Sequence, residues 1–221
     1  MIHVKNKAWD WKKVEDSRWL EPSEDMYYYV HRWHKPNQQN SLLDLGCGLG
    51  RHSILFAKEG FNVTAFDLSE EAINRLDNYC TQNNMNINTV CGDMIVLPFE
   101  KDTFDYVISY HVISHTNTEG VFSIFKQLKS ILKPGGEMFL TLGSQKSTKF
   151  KTHIGEWVDS NTLIKDQNDH EHGIPHFYAN DALLQKLLKP FEVISIKLSN
   201  NVDLNTVNQY GWHYFIHLKQ G

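Results

Sequence analysis

The chain has 221 residues, of which 41% are hydrophobic and 22% are charged, and its formal net charge is -4 at pH 7. This length fits one large α/β domain, or such a domain with a small cap, and argues against two independent domains. The slightly acidic balance gives no general attraction to nucleic acid or to an anionic membrane, so neither is expected as a partner.

The number and spacing of the cysteines and the composition of residues 1–16 indicate the cellular compartment. Cys47, Cys80 and Cys91 are odd in number and lack CxxC spacing, so neither a disulfide framework nor a cysteine zinc site is predicted. Residues 1–16 contain no continuous apolar run, so we expect neither a secretory signal nor a membrane anchor. A cytoplasmic location is therefore expected.

Residues 1–40 are predicted to form a helical arm or cap that is rich in aromatic side chains. A helix is expected from about Glu24 to Lys35. The aromatic residues of this arm are Trp9, Trp11, Trp19, Tyr27, Tyr28, Tyr29 and Trp33. They could form a lid with flat walls for an apolar or cationic ligand, or the helix could simply pack on a sheet.

A glycine-dense turn follows the first predicted strand. Ser41–Leu45 is an apolar strand, Gly46, Gly48 and Gly50 come next at alternate positions, and a helix opens at about Arg51. Glycines at this spacing allow positive φ angles and let a ligand approach the bare backbone. The turn therefore predicts a site for a nucleoside-bearing small molecule.

Strands and helices alternate through the rest of the chain. The next predicted strands are Asn62–Phe66, Ile87–Val90, Phe104–Ser109 and Glu137–Leu142. The predicted helices between them run from the N-cap Ser69 to about Gln82 and from Thr118 to Leu132, the latter ending at Lys133-Pro-Gly-Gly136. Crossovers of this length require parallel pairing, so we expect a doubly wound sheet with helices on both faces.

The C-terminal part has a different connectivity. After a helix over Asp181–Lys189, two β-rich runs, Phe191–Leu198 and Tyr210–Leu218, are joined by a polar segment with no room for a helical crossover. Such neighbours pair antiparallel. A mostly parallel α/β sheet with a reversed C-terminal strand is predicted.

Four motifs in order resemble those of the class I S-adenosylmethionine-dependent methyltransferases. They are Asp44-Leu-Gly-Cys-Gly-Leu-Gly50, the acidic Asp67 ending the second strand, Gly92-Asp93-Met94 after the third, and Leu132-Lys-Pro-Gly-Gly136 before the fifth. The ordered set is far more specific than any one motif. The resemblance implies a Rossmann-like, doubly wound, seven-stranded sheet over residues 41–221.

The predicted cofactor, S-adenosyl-L-methionine, explains the residue types at the strand ends. The predicted cofactor-binding residues are Asp44, Gly46, Gly48, Gly50, Asp67, Leu68, Asp93, Met94 and Tyr110. A carboxylate such as Asp67 can accept both ribose hydroxyls, and Asp93 can accept from the adenine amino group. The alternatives are a helix cap for Asp67 and ordinary packing for Met94. The glycines, with Asp44, would surround the methionyl end.

A nicotinamide dehydrogenase is the main rival because it shares a glycine-rich first turn and a later acid. Its GxGxxG pattern requires a glycine where this chain has Arg51. Asp44 also places a carboxylate near the turn, where it would repel a pyrophosphate. Both features favour the sulfonium cofactor.

Candidate catalytic residues follow the fourth strand. His111 and His115 lie at the carboxyl edge of the predicted sheet and can titrate near neutrality, so either could receive a proton from the methyl acceptor. The alternative is a structural role for each. The segment lacks the Asn/Asp-Pro-Pro-aromatic run of amino-directed nucleic-acid methyltransferases and any cysteine nucleophile, which disfavours nucleic-acid methylation.

The long connection over Gly143–Asn180 is predicted to be a substrate loop or lid, because loops of this length are usually functional. It contains Trp157 and the run Asp169-His-Glu-His-Gly-Ile-Pro-His176. Gly173 and Pro175 prevent the helical spacing that would align His172 with His176, so a polar substrate wall or lid hinge is favoured over a metal site. No metal ligand is assigned, and whether residues 170–176 bind a metal stays open. The Gly-Ile-Pro-His stretch resembles one in many small-molecule methyltransferases of this class.

The sequence thus predicts an S-adenosylmethionine-dependent methyltransferase that acts on a small molecule. Two alternatives stay open: a noncatalytic module that senses S-adenosylmethionine or S-adenosylhomocysteine, and a protein methyltransferase. The acceptor and the oligomeric state are not predicted.

Overall fold

The computed structural model describes residues 9, 11, 19–35, 38, 40–165, 171–202 and 210–221. The helices are α1 (Glu24–Trp33), α2 (Arg51–Lys58), α3 (Glu70–Gln82), α4 (Thr118–Ile131), α5 (Thr148–Thr152) and α6 (Asp181–Leu188). The strands are β1 (Ser41–Leu45), β2 (Asn62–Asp67), β3 (Ile87–Cys91), β4 (Phe104–Ser109), β5 (Leu132–Ser144), β6 (Trp157–Asp159), β7 (Thr162–Ile164), β8 (Pro175–Ala179), β9 (Glu192–Val202) and β10 (Tyr210–Lys219). Among the described residues no helix has the length and apolarity needed to cross a membrane.

Seven strands form the main sheet, in the order β3-β2-β1-β4-β5-β10-β9. The first five pair in parallel, whereas β10 pairs antiparallel with both β5 and β9. Apolar clusters cover both faces: one holds side chains of α4 and α6, and the other holds side chains of α1, α2 and α3. The predicted doubly wound α/β sheet with a reversed C-terminal strand is therefore confirmed.

The parallel strands place the ends of β1 to β5 at one edge of the sheet. Ser69 caps α3 as predicted, its hydroxyl accepting from the Ala72 N–H at 3.3 Å. Asn117 caps α4 in the same way at 2.9 Å from the Gly120 N–H. The segments between strand end and helix start are thereby fixed, and these segments build the site described below.

The start of β5 differs from the prediction. Lys133-Pro-Gly-Gly136 belongs to the strand rather than to a separate turn. The Gly135 N–H donates to the Gln220 carbonyl at 2.9 Å, and the Gln220 N–H donates to the Gly136 carbonyl at 2.8 Å. These bonds to the chain after β10 extend the ladder through a sequence that by itself indicates a turn.

The predicted substrate loop over Gly143–Asn180 contains α5 and three short strands that the sequence does not predict. β7 pairs antiparallel with β6 and with β8, and β8 adds in parallel to the end of β5. Trp157 is partly exposed and packs against Phe150 and His153. Asp169 and His170 lie outside the described residues.

Helix α1 packs on the sheet, which is one of the two alternatives that the sequence leaves open for its aromatic residues. Trp33 stacks on Tyr106 with ring centroids 4.7 Å apart, and Tyr29 lies 4.3 Å from the Phe139 ring. Tyr27 and Tyr28 are exposed. The helix uses its apolar stripe as core, which is the usual outcome for an amphipathic helix.

Glu137 in β5 fixes α1 to the sheet. Its carboxylate accepts hydrogen bonds from Arg32 at 2.8 and 2.9 Å, from the Trp33 indole at 2.8 Å, and from His217 at 2.8 Å. Burial raises the pKa of Glu137, but hydrogen bonds from Arg32, Trp33 and His217 together hold that pKa down at about 2. The carboxylate is charged in the folded protein at neutral pH.

We expect Glu137→Gln to lower the free energy of unfolding by about 2–3 kcal/mol, because it weakens charged hydrogen bonds and leaves Arg32 without its counter-charge. The folded-state pKa lies below that of the unfolded chain, so this stabilisation is present above about pH 4.5 and is lost as pH falls toward 2. Urea titration at pH 7 measures the effect. Glu192→Gln, at an exposed position, serves as the control and should change stability by less than about 0.5 kcal/mol.

Candidate functional site

The glycine turn after β1 presents its backbone to a cavity. Gly46, Gly48 and Gly50 have φ angles of 76°, 54° and 81°. A Cβ on Gly46 would lie 2.3 Å from a Val112 methyl carbon, and one on Gly48 would lie 2.5 Å from the Trp11 ring. Positive φ and close neighbours together require glycine at both positions.

Asp67 lies beside this turn and is bonded to it. Its Oδ2 accepts from the Gly48 N–H at 2.8 Å, and its Oδ1 accepts from the Ser69 N–H at 2.8 Å. Burial raises the pKa of Asp67, against the lowering effect of these backbone N–H groups. Each carboxylate oxygen keeps a lone pair for a further donor, and the side chain lines the cavity.

The other predicted residues at the ends of β2 and β3 line the same cavity. Leu68, Asp93 and Met94 all contribute to its wall. Asp93 Oδ1 also accepts from the Ile95 N–H at 3.0 Å, which fixes the turn after β3. The structure thus brings the two predicted acidic ligands and the predicted adenine contact to one cavity.

Asp44 and Gly50 do not belong to the wall of this cavity. The Asp44 side chain is buried behind the turn and accepts from the Ser53 hydroxyl at 2.6 Å, and burial raises its pKa to about 6. Gly50 is the left-handed N-cap residue of α2, and a Cβ there would meet Leu76. Both residues shape the turn from behind, and any direct contact with a cofactor stays a prediction.

His111 lies at the opposite end of the cavity in an unusual backbone conformation. Its φ is 60°, a left-handed value that is rare for a residue with a side chain. The Thr141 hydroxyl oxygen accepts from the His111 N–H at 2.7 Å and lies 3.3 Å from Nδ1. Burial, with smaller contributions from His213 and Arg51, holds the pKa of His111 well below 6.5, so the ring is neutral at pH 7.

His115 lines the same part of the cavity within a different cluster. Its Nε2 is 3.8 Å from Glu171 Oε1, and its ring centroid is 4.8 Å from that of His176. Burial, His176 and Lys165 hold the pKa of His115 well below 6.5. Tyr110 also lines the cavity, and its ring makes an edge-to-face contact with His52 at 5.4 Å.

Several cavity residues are absent from the predicted catalytic and cofactor-binding residues, although four of them lie within the predicted substrate loop. They are Arg51, Lys165, Glu171, His176, Tyr178 and His213. Arg51 directly follows the glycine turn, and this position is the one signal in the sequence that could have identified it. The others come from β8, β10 and the segments before β8, and only the fold brings them next to β4.

Three tryptophans from the N-terminal arm line the cavity. Trp9, Trp11 and Trp19 have ring centroids 5.6 to 6.0 Å apart, and Trp9 stacks on His115 at 6.4 Å. The Trp11 indole N–H is buried and has no hydrogen-bond partner within the part of the chain that the structure describes. An indole N–H that is buried without a partner costs about 1–3 kcal/mol.

The cavity has a volume of about 630 Å³ and is continuous from Asp67 and Asp93 to the histidines. This volume lies within the range of small-molecule and cofactor sites. One end offers carboxylates and bare backbone, and the other offers neutral imidazoles. The arrangement can hold a nucleoside next to a second, smaller molecule.

Comparison with known proteins agrees with this geometry. Residues 42–136 match the family model described as methyltransferase domain. A ubiquinone biosynthesis O-methyltransferase of Coxiella burnetii is 31% identical over 130 residues, which are 58% of this chain and 55% of the relative. A probable S-adenosyl-L-methionine-dependent methyltransferase, TehB of Haemophilus influenzae, is 35% identical over 95 residues, 43% of this chain and 33% of that protein. The chain thus spans about half or less of the length of these curated relatives.

Solved structures share the fold over most of the chain. A SAM-dependent methyltransferase of Methanosarcina mazei aligns with a TM-score of 0.73 at 17% identity, covering 90% of this chain and 98% of that one. TehB of Haemophilus influenzae aligns with a TM-score of 0.67 at 20% identity, covering 90% and 63% respectively. Residues 42–136 thus match a methyltransferase domain, and the sheet that contains them has the fold of solved S-adenosylmethionine-dependent methyltransferases.

Proposed function

We propose that this chain transfers the methyl group of S-adenosylmethionine to a small molecule whose nucleophilic atom gives up a proton. The observation that carries the proposal is the continuity of one cavity from Asp67 to His111. Methyl transfer from a sulfonium needs an aligned acceptor, exclusion of water and a proton acceptor. The cavity provides a separate place for each molecule and imidazoles beside the acceptor.

The cofactor end supports specific roles. Asp67 is proposed to bind the ribose hydroxyls, Asp93 the adenine amino group, and Gly46 and Gly48 the methionyl portion. Arg51 supplies a positive charge near this end, with its guanidinium 5.4 Å from the Trp19 ring and 5.8 Å from the Tyr110 ring. We propose that Arg51 pairs with the cofactor carboxylate, a match that guanidinium geometry favours.

The acceptor end supports His111 as the proton acceptor. Its ring is neutral at pH 7, and its left-handed backbone is held by the bond to Thr141. Backbone strain of this kind is concentrated at functional sites. His115 is the second candidate for the role, as the sequence predicts.

The three tryptophans in the cavity wall favour a small molecule over a protein as the methyl acceptor. Trp9, Trp11 and Trp19 pack on one another in the wall of the cavity, with Trp11 beside Gly48 and Trp9 beside His115, and residues of β8 and β10 line the acceptor end. A protein substrate requires an open groove for its backbone. A relative named as an O-methyltransferase fits a small hydroxyl-bearing acceptor, and we adopt that class as the first to be screened.

The proposal predicts methyl turnover. Incubation of the full chain with radiolabelled S-adenosylmethionine and panels of small phenols, hydroxy acids and amines should label at least one acceptor and yield S-adenosylhomocysteine in equal amount. A sensor would bind both cofactor forms and label no acceptor class. Labelling of protein fractions alone would support the protein methyltransferase instead.

A further inference from the structure

Two histidines and a carboxylate meet at the acceptor end of the cavity although they are distant in sequence. Glu171 Oε1 is 3.8 Å from His115 Nε2, and Glu171 Oε2 is 3.2 Å from His176 Nε2. One donor atom from each residue lies within 4.8 Å of the other two. We call His115, Glu171 and His176 the acceptor-end triad.

The fold, rather than a helical spacing, brings the triad together. The Phe177 N–H donates to the Ser114 carbonyl at 2.8 Å, which joins β8 to the segment after β4. His176 is also paired across the hairpin with Leu163 of β7. His176 is therefore held next to His115, whereas exposed His172, the partner considered in the sequence, does not join the triad.

The hydrogen bond of His176 fixes which ring nitrogen carries the proton. Nδ1 is 2.9 Å from the Ile174 carbonyl oxygen, which can only accept, so Nδ1 is the protonated atom. In the neutral ring Nε2 then presents a lone pair to Glu171 Oε2. Two acceptors that face each other at 3.2 Å require a positive charge between or beside them.

Lys165 shows that a cation is accommodated at this point. Its ammonium contacts Glu171 Oε2 and lines the same cavity. Protonation of His176 would add a second positive charge next to Lys165 in a place where His176 is only 7% exposed. An ammonium donates separate N–H groups to the carboxylate and to an imidazole lone pair, whereas one metal ion can bind the carboxylate and both imidazole nitrogens at a single point.

We propose that the acceptor-end triad binds a divalent transition-metal ion of the zinc, iron(II) or manganese class. Two imidazoles and one carboxylate are a ligand set that these ions take in proteins. Metal–ligand bonds of about 2.0–2.2 Å place neighbouring donors about 3.0–3.5 Å apart. The pairs at 3.2 and 3.8 Å need a small inward movement, and the most widely spaced donors of the triad, which lie within 4.8 Å of each other, need a larger one. The bond from His176 Nδ1 to a backbone carbonyl is the usual support for a metal-binding histidine.

The part of a bound metal in methyl transfer rests on the proposed function. Within that function, the metal narrows the class of acceptor. Three protein ligands leave coordination positions open toward the cavity, where His111 also lies. An acceptor with two neighbouring oxygen atoms could bind there, and coordination would lower the pKa of its hydroxyl. His115 Nε2 would then be a ligand atom, which leaves proton acceptance to His111.

Metal titration of the full chain tests the assignment without methyl donor or acceptor. After removal of metal with a chelator, Zn²⁺ is titrated by calorimetry and Co²⁺ by visible absorption. We expect one ion per chain, and a loss of affinity of at least tenfold in His176→Ala and in Glu171→Gln. His172→Ala, a histidine of the same segment outside the triad, should bind like the wild type.

Lys165→Met provides an independent variant because it removes the competing ammonium and no ligand. It should bind Zn²⁺ at least tenfold more tightly than the wild type. Failure of the wild type to bind one ion, equal affinity in folded His176→Ala, or unchanged affinity in Lys165→Met would each overturn the assignment. Binding of the metal without methyl turnover would overturn the proposed function and leave the site standing.

Discussion

Replacing Asp67 with alanine should weaken binding of S-adenosylhomocysteine by at least about 100-fold. A hydrogen bond to a charged group contributes about 1.5–3 kcal/mol, so two ribose hydroxyls on one carboxylate amount to about 3 kcal/mol or more. Asp67 is held at the cavity wall by the N–H groups of Gly48 and Ser69, so its orientation is fixed before the ligand binds. Isothermal titration calorimetry measures the change.

The same backbone bonds mean that Asp67→Ala also loosens the glycine turn. Asp67→Asn keeps the size of the side chain and one acceptor oxygen, and should lose affinity with less effect on thermal unfolding. Asp77→Ala removes an exposed carboxylate from α3 and controls for the change in net charge. It should bind S-adenosylhomocysteine like the wild type.

A ligand lacking both ribose hydroxyls isolates the proposed contact. The wild type should bind this analogue weakly, and Asp67→Asn should cost it little further affinity. If the substitution weakens the analogue and S-adenosylhomocysteine equally, Asp67 acts only by shaping the turn, and its assignment to the ribose is wrong.

The residues that line the cofactor end could be predicted from local sequence because each of them lies next to its own strand. Asp67 ends β2 and Asp93 lies just after the end of β3, and parallel strands bring their carboxyl ends to one edge of the sheet. Asp44 shows the limit of this reasoning. It is on β1, but its side chain points behind the turn to Ser53, and spacing alone does not give the direction of a side chain at a strand end.

The acceptor end depends on contacts that sequence spacing does not encode. His176 reaches His115 through the hairpin of β7 and β8, whose short strands have too few residues for a clear alternating pattern. The sequence leaves two alternatives for the aromatic residues of α1, a binding wall and a helix packed on the sheet. Tyr29 and Trp33 form part of the core because the helix buries its apolar stripe.

A substitution at His111 can separate an effect on methyl transfer from an effect on cofactor binding. We expect His111→Asn to lower kcat by about 100-fold or more, the usual contribution of a positioned proton acceptor, while S-adenosylhomocysteine affinity changes less than about threefold. Asparagine tolerates the left-handed φ of 60° better than alanine, so this variant removes the imidazole with little backbone penalty. His111→Ala should show the same loss of kcat with a larger loss of stability.

The pH profile gives a readout that a structural role would not change. The pKa of His111 lies well below 6.5, so the ring is unprotonated at pH 7 and gains a proton only as the solution becomes acidic. If His111 accepts the proton, the wild-type kcat should be constant at and above neutral pH and should fall as the pH is lowered. This fall at acidic pH should be absent in His111→Asn. Equal losses of kcat and cofactor affinity, or a fall at acidic pH that persists in the variant, would show that His111 maintains the structure of the cavity and that another group accepts the proton.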